Sequence, residues 1–183
     1  MVYVFFANGF EEIEALAPVD ILRRAELEVV MVGVGSKTIT GSHGITVACD
    51  MTDAEAAERG LFGVDMLVLP GGMPGTLNLE KSASVSGLID SAAEQQKWLT
   101  AICAAPSILG HKKLLRNKKA ICFPGYEDQL SGAVIAEESV VQDGKFITAK
   151  GAGVAIEFGL KLVECLISKK RADLLKASLQ CRN

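Results

Sequence analysis

The chain has 183 residues, 49% of them hydrophobic and 22% charged, which is enough apolar material for a domain-sized core and excludes a disordered chain. Its 18 Gly and 5 Pro show no period, which excludes a collagen-like chain, and a net charge of −3 argues against a general nucleic-acid binder, which needs a basic face for phosphates. Five Cys, an odd number with no C-x-x-C pair, fit neither a disulfide scaffold nor a zinc module and imply a reducing, cytoplasmic setting.

The first apolar run, Val2–Ala7, is too short for a signal sequence and leads straight into Glu11 and Glu12. Further β-rich runs lie at Glu28–Val34, Met66–Leu69, Leu99–Ile102, Ala120–Phe123 and Phe146–Ala149. Several are apolar at successive positions, the pattern of strands buried on both faces. Between them, a 3.6-residue periodicity predicts helices over roughly Glu11–Arg24, Ala83–Gln96, Ala104–Leu115 and Val154–Lys169. Val134–Ala136 and Ser139–Gln142, with Asp143-Gly144 as a turn, predict a small antiparallel excursion. No apolar run approaches the roughly 20 residues that span a bilayer, so no membrane association is expected. Strand–helix alternation without a repeat or linker predicts one domain over residues 1–183. Its architecture is a flavodoxin-like three-layer α/β sandwich with a mostly parallel sheet.

In such folds ligands sit at the carboxyl ends of the strands, where this chain places small and turn residues. They are Ala7-Asn8-Gly9, Pro70-Gly71-Gly72, Cys103-Ala104-Ala105-Pro106 and Gly151-Ala152-Gly153, and each is also simply what a strand-to-helix turn wants. Cys103 is the strongest candidate for chemistry. Between a buried strand and a predicted helix it meets free N–H groups and the positive dipole end, which favour thiolate. The Ala104 N–H forms one half of an oxyanion hole there, and Gly71-Gly72 could supply the other. The alternative is a buried structural thiol, the reading taken for Cys49, Cys122 and Cys165, each placed in a strand or helix pattern; Cys181 reads as an exposed thiol. A base is hard to find. His43 lies in a loop, and eight residues of helix would carry His111 ~12 Å from Cys103. Glu14 falls about 20° from Ile21 on the helical wheel, near the apolar stripe of Ile13, Leu16, Ala17 and Ile21, while Glu11 and Glu12 point further away. Pro18 removes the donor for the Glu14 carbonyl and predicts a loosened helix. An inward carboxyl would be desolvated and hold a proton to share with a thiolate. No H-E-x-x-H, Walker loop or complete dinucleotide fingerprint is present, so neither metal nor cofactor is expected.

Glu11-Glu12-Ile13-Glu14 with Pro18-Val19-Asp20, then Leu69-Pro70-Gly71-Gly72, Ala101-Ile102-Cys103-Ala104-Ala105-Pro106 and Gly151-Ala152-Gly153, together resemble the ThiJ/PfpI superfamily. The resemblance is to its parkinsonism-associated protein deglycase branch and the bacterial ThiJ-like relatives, and covers nearly the whole chain in order. It implies a class I glutamine amidotransferase-like fold and a homodimer. It also implies a nucleophile-elbow thiol at Cys103, a protonated acid at Glu14, oxyanion donors at Gly72 and Ala104, and a pocket bordered by Gly71 and Gly151. Arg24 matches a family arginine near the dimer interface, and Cys49 a peripheral cysteine. Several positions depart from the pattern. Ala104 stands where the protease-like branch has His, and Phe123 where the animal deglycases have His. Lys150 and His43 stand where arginines are usual.

The leading expectation is a cofactor-independent thiol protein of glyoxalase or deglycase type. It would act on small reactive dicarbonyls or glycated protein, in a role in oxidative stress. A redox-responsive chaperone or sensor working through oxidised Cys103 is the alternative, favoured by the missing His; a cysteine hydrolase or amidotransferase is a weaker one. The oxidation expectation is that Cys103 reacts first, because it alone combines a helix start with a crevice.

Overall fold

The computed structural model describes residues 1–181. In chain order the elements are β1 Val2–Phe6, α1 Glu12–Arg24, β2 Val29–Gly33, β3 Thr38–Thr40, β4 Thr46–Ala48, β5 Met51–Thr52, α2 Asp53–Arg59, β6 Met66–Leu69 and α3 Gly75–Lys81. They continue with α4 Ala83–Glu94, β7 Trp98–Ile102, α5 Pro106–His111, β8 Lys119–Ala120, β9 Val134–Ile135, β10 Val140–Asp143, β11 Phe146–Ala149, α6 Ala155–Leu166 and α7 Lys169–Ser178.

The main sheet has seven strands in the order β10-β11-β7-β6-β1-β2-β5, parallel throughout except for the β10–β11 hairpin. Alternation of side chains across each strand explains why the apolar runs are continuous. Val2, Val4 and Phe6 join α1, α6 and α7 in one core, whereas Tyr3, Phe5 and Ala7 join α2, α4 and α5 in the other. The result is the flavodoxin-like sandwich expected from the alternation of elements. Helix α1 runs through Pro18 without interruption and packs on α6 at Gly159, where an added Cβ would lie 3.3 Å from the Pro18 Cα and 2.8 Å from Ile21 Cδ1.

Several expected boundaries shift, each for a local reason. The run Ala120–Phe123 is not a central strand. Only Lys119–Ala120 is extended, and it pairs in parallel with β9 as a separate two-stranded ribbon. Phe123-Pro124-Gly125-Tyr126 then turns the chain, with Gly125 at φ +93 and the Tyr126 N–H donating to the Phe123 carbonyl at 3.1 Å. This is a type II turn: proline fixes the first central residue and glycine supplies the positive φ. Val134–Ile135 therefore does not form the antiparallel excursion; that hairpin is β10–β11, turned at Asp143-Gly144. The helix expected over Ala104–Leu115 shrinks to α5, because residues 103–105 form a turn and Lys113 and Asn117 adopt positive φ. The helix expected over Val154–Lys169 is α6, which ends at Leu166, and a further, unexpected helix, α7, begins at Lys169, capped by the Ser168 hydroxyl accepting from the Arg171 N–H at 3.2 Å. Cys49 and Cys122 lie buried in irregular segments rather than in elements, whereas Cys165 sits in α6, its thiol donating to Gln142 at 3.4 Å.

Candidate active site

Strand β7 ends at Ile102, and Cys103 follows at φ +65, a left-handed conformation uncommon for any residue with a side chain. The Cys103 N–H continues the ladder to the Ala149 carbonyl at 2.9 Å, and the Ala105 N–H closes back onto the Ile102 carbonyl at 3.1 Å. Cys103 is thus held at a sharp strand-to-helix elbow, with strain on the order of 1–3 kcal/mol fixed by the surrounding sheet.

Glu14, in the first turn of α1, is 1% exposed and points at this elbow. The Gly71 N–H donates to its carboxyl at 3.0 Å, and the Ala152 N–H and the Cys103 thiol lie close enough to pull on its titration. A Cβ on Gly71 would fall 2.5 Å from Glu14 Oε2 and 2.7 Å from Cys103 Cβ, so only glycine lets thiol and acid meet. The same glycine straps the helix start, since its carbonyl accepts from the Glu11 N–H at 3.0 Å, while the Glu11 carboxylate caps α1 through the Glu14 N–H at 2.7 Å. The Gly72 and Ala104 N–H groups lie near the Cys103 sulfur and favour its thiolate. Gly72, at φ +92, admits no Cβ, which would collide with the Glu11 nitrogen.

Burial pushes the Glu14 carboxyl up to about 7, against the opposing pull of its hydrogen bonds with Cys103, Gly71 and Ala152. Burial also pushes the Cys103 thiol up to about 12, reinforced by the Glu14 charge and only partly offset by the Ala104 and Gly72 N–H groups. The expectation of a thiol whose titration is lowered by the helix start is therefore corrected. The six-residue α5 and two amides do not overcome desolvation next to a carboxylate. The two groups titrate as a pair that holds one shared proton from about pH 7 upward. With that proton on Glu14, the sulfur is a thiolate facing two amide donors.

The other sequence candidates separate cleanly. Gly151 lies beside the pair, its Cβ position 3.9 Å from Glu14 Oε1 and 3.4 Å from the Phe123 ring. His111 is bound to Glu80 at 2.5 Å and Gln129 at 2.7 Å, away from the elbow. Arg24 pairs with Asp20 at 2.7 Å on the exposed face of α1. Two placements on α1 are corrected: Ile13 is 55% exposed, and Glu12 is 5% exposed rather than outward-facing. The Glu12 carboxylate accepts from the His43 N–H at 2.7 Å, His43 Nδ1 at 2.8 Å, the Ser42 hydroxyl at 3.3 Å and the Ile45 N–H at 3.4 Å. It clamps the β3–β4 hairpin. No sequence period reveals this, because the donors come from a loop about thirty positions away. The Ala152 N–H was also missed, although the Gly-Ala-Gly turn after β11 marks a close backbone approach. Among the described residues, one group of three potential metal ligands lies close together, Glu11, Glu12 and His43; Glu11 is taken up by capping α1, and Glu12 and His43 by the hairpin clamp.

An α/β sandwich bearing a left-handed cysteine elbow opposite a buried acid defines a class of thiol proteins. The chain matches the DJ-1/PfpI family over residues 1–165 and belongs to that family. It is 34% identical to oxidized Toxoplasma gondii DJ-1, whose structure superposes with a TM-score of 0.92 over 98% of this chain and 97% of that one. It is 30% identical to the glutathione-independent glyoxalase DJ-1 of Schizosaccharomyces pombe, covering 97% of each. It is also 32% identical to protein DJ-1 homolog A of Arabidopsis thaliana over 99% of this chain, and spans 46% of that protein's length. Among the described residues no helix is long and apolar enough to cross a membrane.

Proposed function

We propose that the protein converts small 2-oxoaldehydes into 2-hydroxy acids without a cofactor, by glyoxalase-type thiol chemistry at Cys103. The observation that carries this reading is the pairing of an elbow thiol with a carboxyl so buried that its titration is raised to about 7. In this scheme the Cys103 thiolate adds to the aldehyde carbon, and the Glu14 proton passes to the resulting alkoxide, giving a hemithioacetal. While charge develops on that oxygen, the Gly72 and Ala104 N–H groups stabilise it. Glu14, now ionised, removes the proton on that carbon and delivers one to the neighbouring carbonyl carbon, while the hemithioacetal hydroxyl proton passes to the neighbouring oxygen. The product is a thioester of the 2-hydroxy acid. Water hydrolyses it and restores the thiol. The net change is addition of one water, with no external oxidant. Removal of a glycation adduct from protein would begin with the same attack. Similarity to the S. pombe glyoxalase supports the reading. The test is methylglyoxal consumption with D- and L-lactate assay. Turnover by the purified chain that falls to background in Cys103→Ala is expected, and consumption equal in the two proteins would overturn the proposal.

A second reading, a redox-responsive chaperone or sensor in a reducing cytoplasm, is favoured by one observation. Phe123 occupies the edge of the site, and the two histidines are engaged by Glu12 and Glu80. Protection of an aggregating client that rises after peroxide treatment and depends on Cys103 would support it; protection unchanged in Cys103→Ala would remove it. A homodimer is proposed from the family resemblance, and light scattering of the purified chain decides it.

A further inference from the structure

The glycines around the thiol are not equivalent. Gly71 and Gly72 are glycine because a side chain would strike Glu14, Cys103 or the Glu11 backbone. Gly151 is under no such constraint. Its φ of 165 is extended backbone open to any residue, and a Cβ there would make only ordinary contacts, 3.4 Å from the Phe123 ring and 3.9 Å from Glu14 Oε1. The missing side chain therefore leaves a slot with an aromatic ring on one side and the reactive acid on the other. Phe123 is 48% exposed, one of two exposed phenylalanines with Phe62 at 92%, whereas Phe5, Phe6, Phe10 and Phe158 are buried. Its backbone is held on both sides. Its N–H donates to the carbonyl of Cys103 itself at 2.8 Å, and its own carbonyl closes the type II turn at Tyr126. The Gly125 N–H of that turn is fixed in addition by Glu127 at 2.7 Å. These bonds fix the point from which the ring projects relative to the nucleophile.

We propose that the Phe123 ring and the Gly151 slot form a specificity subsite for a flat apolar group, so that the protein prefers aryl-substituted carbonyl compounds to small alkyl or unsubstituted ones. The thiol, the acid and their amides recognise the carbonyl end, and the ring takes the substituent by offset or edge-to-face stacking. That the substrates are 2-oxoaldehydes rests on the proposed function above; the slot itself does not.

Two measurements separate the subsite from the reaction. In the first, kcat/KM is compared for phenylglyoxal and glyoxal. In the second, the rate of Cys103 modification is compared for N-phenyliodoacetamide and iodoacetamide, each corrected for its rate with a free thiol such as N-acetylcysteine. Each aryl-to-small ratio should be about 2 to 10 for the native chain, the range that a stacking contribution of ~0.5–1.5 kcal/mol gives. Phe123→Ala should bring both ratios near unity and Phe123→Tyr should retain them. Gly151→Ala, whose Cβ the fold accepts, should lower them by narrowing the slot. A native alkylation ratio near 1, or one that Phe123→Ala leaves unchanged in a protein folded by circular dichroism, overturns the subsite. An aryl preference in alkylation with no dicarbonyl turnover upholds the subsite and overturns the reaction. Turnover without that preference does the reverse.

Discussion

Glu12 and Glu14 stand two residues apart in the first turn of one helix, both buried, yet their environments drive them in opposite directions. Burial raises Glu12 as it raises Glu14, but donors from the β3–β4 hairpin, led by His43, outweigh it and hold the carboxyl at about 2. Glu14 receives only two backbone N–H groups and a thiol, and burial wins, at about 7. The difference teaches that depth and donor supply together decide whether a carboxyl works as a fixed anion or as a proton carrier: Glu12 lies just under a donor-rich hairpin, Glu14 deep among few donors. Glu12 is suited to hold a loop, and Glu14 to move a proton.

The largest effect that tests this division is catalytic. Glu14→Leu should lower kcat/KM for methylglyoxal by 100-fold or more, the usual contribution of a positioned acid–base group. A loss of equal size in Glu12→Gln would break the division. Next comes stability. Glu12→Ala leaves the hairpin N–H groups without their anion and should cost about 2–3 kcal/mol in denaturant unfolding at pH 7. Glu14→Gln should unfold no earlier than the native chain at pH 8, because an ionised buried carboxylate opposes folding there.

The pH dependences should also run in opposite senses. Between about pH 2 and the ordinary carboxyl value of 4.5, the unfolded chain binds the proton at Glu12 and the native one does not. The Glu12 contribution is thus complete above that window and lost as pH falls through about 2, and Glu12→Gln should flatten this acid limb. At Glu14 the native state holds the extra proton between 4.5 and about 7, so its contribution favours folding below that window and declines as pH rises through it. Alkylation of Cys103 should rise through an inflection near pH 7, where the pair passes from two protons to one, and Glu14→Gln should abolish that inflection. The smallest effect belongs to His43→Ala. Its ring is 69% exposed, so solvent screens the pair and the loss should be far smaller than that of Glu12→Ala, with the backbone N–H of residue 43 still on Glu12. A loss as large as that of Glu12→Ala would mean that the ring, not the backbone, carries the clamp.

Sequence alone determined the layers of this protein, because an apolar run at successive positions has one stable place, the middle of a two-faced parallel sheet, and a 3.6-residue period has one stable place against it. It also marked the crevice, since Cys103, Gly71-Gly72 and Gly151 fall at strand ends where backbone must turn sharply. Glu14 was legible from its angle on the wheel to the residues of α1 that do pack inward. Failures of the sequence reading came where a contact crosses the fold. Glu12 looks solvent-facing until a distant hairpin brings four donors to it. Ala120–Phe123 carries a strand's composition, yet Pro124 and Gly125 turn it into the mount for an exposed ring. The Cys103 thiol lies beyond any motif's reach for the same reason: its proton affinity is the balance of desolvation, a carboxyl from α1 and amides from two other turns. Periodicity records which side of an element is apolar. Only tertiary packing decides which polar groups meet there, and that meeting sets the charge on which the chemistry depends.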